Sequence, residues 1–93
     1  AAEMEADASD LANQAIEKYR SYFSAGNYDY LVTRSAAEEE AELAAMGRPQ
    51  FRRTTVVTPS GTAPNRTWVV AASVTYDLKG KSRNVTCRTL FAE

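Results

Sequence analysis

The chain has 93 residues, 44% of them hydrophobic and 25% charged, with a net charge of −1, one cysteine and no histidine. These are the values of one small soluble globular domain. They exclude an intramolecular disulfide, a Cys–His pair and a zinc site built on histidine.

The near-neutral total hides two opposed halves. Residues 1–47 carry a net −7 and residues 48–93 a net +6. Acidic helices that neutralise a basic sheet would explain this internally. A basic face for an acidic partner is the alternative. No stretch approaches the roughly 20 apolar residues of a membrane helix, and no signal-peptide pattern is read.

The pattern predicts a frayed, acidic start over Ala1 to Ser9, then helix to Ala25. Met4, Ala8, Leu11, Ala15, Tyr19 and Phe23 recur at three- and four-residue steps. Gly26 is a natural stop. Asn27 can cap a short helix over Tyr28 to Thr33. Ser35-Ala-Ala-Glu38 reads as a capping box for a further helix over Ala36–Met46, ended by Gly47. Its alanine-rich surface has little to bury, so a peripheral, mobile or interfacial place is expected. Glu38, Glu39, Glu40 and Glu42 are read as a solvated helix face rather than a cation site, which would need oxygens converging from a loop.

Gln50 to Thr58 is β-branched and reads as a strand with unassigned faces, because Arg52/Arg53 and Val56/Val57 are adjacent like pairs. Pro59 to Asn65 carries every loop signal. Thr67 to Phe91 then reads as one long hairpin. Trp68, Val70, Ala72, Val74, Tyr76 and Leu78 share an apolar face with Val85, Cys87, Thr89 and Phe91. A turn at Gly80-Lys81 would pair Tyr76 with Val85 and Val74 with Cys87. A turn at Lys79-Gly80 would shift the pairing by two and keep the faces. Cys87 therefore reads as a buried structural thiol.

The expected fold is α+β, with N-terminal helices, one of them long, packed on a three-stranded antiparallel meander. Helices followed by a curved antiparallel sheet are similar in outline to cystatin-like and NTF2-like domains. The joint Ala25-Gly26-Asn27-Tyr28-Asp29 resembles the helix–glycine–acid turn between the first helices of the NTF2-like group. The likeness carries over no functional residue.

Three candidate sites emerge. The outer hairpin face turns apolar at its open end, and strand Arg83–Phe91 keeps one free edge in a meander, so Val69, Ala71 and Leu90, with Arg88 and Asn84, form a candidate interface for a protein partner or for a second copy through either feature. Trp68, Tyr76, Tyr19 and Phe23 could line a cup for a small apolar or acidic ligand. Arg52, Arg53, Arg66 and Arg83 could form a basic patch for an acidic partner. Nucleic acid is disfavoured, because the large aromatics fall on the core face and the pI is acidic. Asn65-Arg66-Thr67 and Asn84-Val85-Thr86 match the glycosylation sequon, a pattern common by chance. No acid–base pair, phosphate loop or metal set assembles, so the expected role is non-catalytic, with no cofactor and no metal.

Overall fold

The computed structural model describes the backbone of residues 2–93 and the side chains of residues 4–93. Two helices, α1 (Ala2–Ser24) and α2 (Ala36–Ala45), precede three strands, β1 (Arg52–Ser60), β2 (Thr67–Leu78) and β3 (Lys81–Ala92). A 3₁₀ turn, Tyr28–Tyr30, lies between the helices. The sheet is an antiparallel meander in the order β1-β2-β3. Both helices lie on one face of it, in the α+β arrangement that the pattern predicts.

The fraying expected over Ala1 to Ser9 is replaced by helix from Ala2 onward, Ala1 lying outside the described residues. The reason is that the apolar stripe starts early: Ala8 is wholly buried and Met4 packs against the core. Ala8, Ala12 and Ala15 are small enough to bring the helix close to the strands, while Leu11, Ile16 and Tyr19 fill the space between. A helix of this length spans roughly 35 Å and the hairpin strands roughly 40 Å, so they run alongside each other. The molecule is accordingly elongated, 48 × 21 × 18 Å. Gly26, at φ +75°, ends α1. Its N–H donates to Phe23 O, and that of Asn27 to Tyr22 O, the paired bonds that satisfy a helix C-terminus.

The second helix forms as the sequence dictates and packs otherwise. Ser35 Oγ accepts from the Glu38 N–H, and the Glu38 carboxylate accepts from the Ser35 N–H, completing the capping box. Instead of lying at the periphery, α2 buries Leu43 and Glu39 against β1. The reading of all four glutamates as a solvated face is corrected at Glu39, whose side chain is enclosed, and at Glu42, which is half-buried among Lys18, Arg34 and Arg53.

The hairpin faces are those expected, but the register is the alternative one. Tyr76 pairs with Arg83, Val74 with Val85 and Ala72 with Cys87. The turn is Lys79-Gly80, with φ +51° and +78°. Positive φ at both central residues matches the right-handed twist of the strands, and it outweighs the advantage of glycine first. Cys87 is half-buried rather than enclosed.

Strand β1 resolves the ambiguity of its paired arginines and valines. Phe51, Arg53, Thr55 and Val57 face the helices; Arg52, Thr54, Val56 and Thr58 face away. The core follows from this. It consists of the α1 stripe, Leu31, Leu43, Phe51 and Val57, and the inner face of β2, closed at one end by Trp68 with Phe91 and at the other by Tyr76.

Candidate functional site

With both helices on one face, no described element covers the other, bare face of the sheet. Cross-strand rows on it can be read from the register. Val56 lies beside Ala71 and then Arg88; Thr58 lies beside Val69 and then Leu90. Val56, Val69 and Leu90 are exposed by 48%, 39% and 61%, so adjacent rows place three large apolar side chains in water. Arg88 borders them on β3. Further toward the turn the face is polar and satisfied from within. Asn84 Nδ2 donates to Thr75 Oγ1 at 3.1 Å, Thr86 Oγ1 donates to Asn84 Oδ1 at 2.8 Å, and the hydroxyls of Ser73 and Thr86 lie 3.0 Å apart. Val69, Ala71 and Leu90 are thus brought together as the pattern suggests. Val56 joins them from β1, a residue whose face the sequence left unassigned.

The proposed cup residues are divided between distant places. Trp68 and Tyr76 lie eight positions apart on β2, a separation of roughly 26 Å. Trp68 and Phe23 pack edge-on at 5.9 Å between ring centres, Tyr28 stacks on Trp68 at 5.1 Å, and Phe23 stacks on Phe91 at 5.2 Å. These rings fill one another's space. Tyr76 packs on Phe51 instead and lines an open depression of about 640 Å³ at the hairpin tip, with Leu78, Arg83, Val85 and Glu5. Tyr19 is enclosed, and its hydroxyl donates to the Val32 carbonyl. Burial pushes its pKa up to about 12, although the nearby Arg34 charge pulls the other way.

The four arginines of the proposed patch likewise part company. Arg52 is exposed on the bare face beside Thr75, whereas Arg83 is exposed at the hairpin tip on the opposite face. Arg66 lies over the rings of Tyr28 and Trp68 at 5.1 and 5.3 Å and grips Glu93 through two charge-assisted bonds of 2.9 and 2.7 Å. That pair holds the Glu93 carboxyl below the usual carboxylate range. Arg53 is 4% exposed and belongs to the interior.

Around Arg53 lies a charged network that sequence reasoning missed. Its Nε donates to Glu39 Oε2 at 2.5 Å, and its Nη1 donates to the Leu11 carbonyl at 2.9 Å. Thr55 Oγ1 donates to the same Glu39 oxygen at 3.1 Å. Arg34 Nε sits 2.7 Å from Glu39 Oε1 as an ion contact. Glu42 is shared by three cations: Lys18 at 3.0 Å, Arg34 at 3.0 Å and Arg53 at 3.2 Å. Burial opposes the Glu42 charge, but the Lys18 hydrogen bond and the surrounding cations outweigh it and hold the carboxyl below its ordinary range. Burial also disfavours the Arg53 charge, yet Glu39 and Glu42 overcome this and raise its pKa.

The network ties α1, α2 and β1 together with its own charges. Both carboxylates are committed to cations. Among the described residues, no group of three His, Cys, Asp or Glu side chains is placed to hold a metal ion. Among the same residues, no helix is long and apolar enough to cross a membrane. The sheet presents, among the described residues, an apolar strip on its outward face and the β3 edge beside it. No protein-family model, curated protein or solved structure matches the chain.

Proposed function

We propose that this chain is a non-catalytic assembly domain that associates with a second copy of itself through the bare face of its sheet. The observation that carries the reading is the exposed strip of Val56, Val69 and Leu90 around Ala71, on a face that neither helix covers. Three large apolar side chains in adjacent rows on a flat surface are what a partner surface would remove from water. A two-fold pairing of this face would set one strip on the other and leave Arg88 and Asn84 at the rim, where their polar groups keep water.

The experiment is a molar-mass measurement across protein concentration, on the native chain and on the double variant Val69→Lys, Leu90→Lys. Both positions are exposed, so the fold should tolerate the change. A concentration-dependent dimer in the native chain that is lost in the variant supports the reading. A strict monomer at millimolar concentration, or a dimer indifferent to the substitutions, overturns it.

A further inference from the structure

The two edges of the sheet are unlike. On β1 the outer edge is occupied. The Arg34 N–H donates to the Thr55 carbonyl at 3.2 Å, and the Thr33 hydroxyl accepts from the Val57 N–H at 2.9 Å. On β3 the edge is bare. The two-residue turn closes on the pair Leu78 and Lys81, and in such a hairpin the closing pair exchanges both ladder hydrogen bonds. Antiparallel alternation then turns the backbone of every odd-numbered residue of β3 toward β2. Glu93 keeps this parity, its N–H donating to the Arg66 carbonyl at 2.9 Å. The N–H and C=O groups of Ser82, Asn84, Thr86, Arg88 and Leu90 point outward, and among the described residues none of them bonds to another backbone group there.

Charge selects what can pair with them. Strand β3 carries Lys81, Arg83 and Arg88 and no acid. Among the described residues, none of these three takes part in an ion pair. A second copy would bring the same cations to the same edge, which opposes edge-to-edge self-pairing. We propose that the β3 edge is a docking line for an acidic extended segment of another protein, added to the sheet as a fourth strand. The main chain of the segment would satisfy the outward groups, and its carboxylates would meet the cations.

The spacing on β3 specifies the segment further. Arg83 and Arg88 are five positions apart and so lie on opposite faces of the sheet. Two acids five positions apart would meet both. Between them Val85 and Cys87, half-buried beside α1, favour apolar residues at the positions opposite.

The test uses the full chain and the peptide Val-Thr-Glu-Val-Thr-Val-Thr-Glu-Thr, against the same peptide with Lys for both Glu. Backbone amide spectra are followed during titration. The expected result is saturable binding of the Glu peptide, weakened by salt, with the largest shifts at Ser82, Asn84, Thr86, Arg88 and Leu90. Arg83→Glu with Arg88→Glu should reverse the preference toward the Lys peptide, by about tenfold. Thr86→Pro deletes one outward N–H while sparing the ladder to β2; it should abolish binding with the far-ultraviolet spectrum unchanged. Equal affinity for both peptides, absence of saturable binding, or shifts confined to the bare face overturn the proposal. So does protection of the outward amides in the free protein, which would assign the edge to a second copy.

Discussion

Arg53 Nε lies 2.5 Å from Glu39 Oε2, and both side chains are almost wholly enclosed. An arginine on the inner face of β1 can be tolerated only with its charge compensated. Glu39 supplies the compensation from α2, Thr55 and Leu11 complete the hydrogen bonds, and Glu42 and Arg34 flank the pair. The opposed charge of the two halves of the chain is thus partly spent inside the fold, between acidic helix and basic strand.

Breaking this pair from one side should be costly. Glu39→Gln leaves the Arg53 charge enclosed with its main partner gone, a loss of about 3–5 kcal/mol. The domain's whole stability is on the order of 5–15 kcal/mol, so a large fraction would disappear. Replacing both charges, Glu39→Leu with Arg53→Met, removes the mutual compensation; with the Thr55 hydroxyl left without its acceptor, stability should return to within about 1–3 kcal/mol of the native chain. Urea unfolding of the three proteins measures this. If the double variant is as unstable as the single one, the pair contributes specific stability rather than mutual compensation.

That pair also marks the limit of what the sequence makes legible. The hairpin faces are readable because a two-residue period survives a shift of register by two, as the Lys79-Gly80 turn demonstrates. The faces of β1 are not, because Arg53 sits where alternation would want an apolar residue, and only the tertiary position of Glu39 explains it. A signal was present: Glu39 and Leu43 lie four apart behind the Ser35 cap, on one helix face. It becomes informative only once Phe51, Thr55 and Val57 place Arg53 inside. The exposed strip has the same history. Val69 and Leu90 follow from hairpin parity, whereas Val56 had to wait for the orientation of β1. The cup failed for a reason of scale: sharing a face of β2 places Trp68 and Tyr76 on one side of the sheet, not near each other.

The hairpin turn holds a removable cost. Lys79 adopts φ +51°, a left-handed conformation that a lysine side chain disfavours, followed by Gly80 at φ +78°. Asparagine is the preferred first residue of this turn. Lys79→Asn should therefore stabilise the protein by roughly 0.5–1 kcal/mol, a rise in Tm of about 2–8 °C for a domain of this size. Thermal unfolding followed by circular dichroism measures it. An unchanged or lower Tm would mean that the lysine makes a compensating interaction in the folded chain.

Tyr19 sets an alkaline limit. Burial, working against the Arg34 charge, raises its pKa from 10.0 to about 12. A raised pKa means that the folded chain keeps the phenolic proton at pH values where the unfolded chain has lost it. The contribution is fully present below pH 10 and is lost as the pH rises through about 12. Over that window the native protein should lose on the order of 2–3 kcal/mol through this one group. Tyr19→Phe removes the titration along with the bond to the Val32 carbonyl. The variant should start about 1 kcal/mol less stable at neutral pH and fall less steeply above pH 10. Urea unfolding at fixed ionic strength across pH 8–12 compares the slopes, and identical slopes would place the alkaline sensitivity elsewhere.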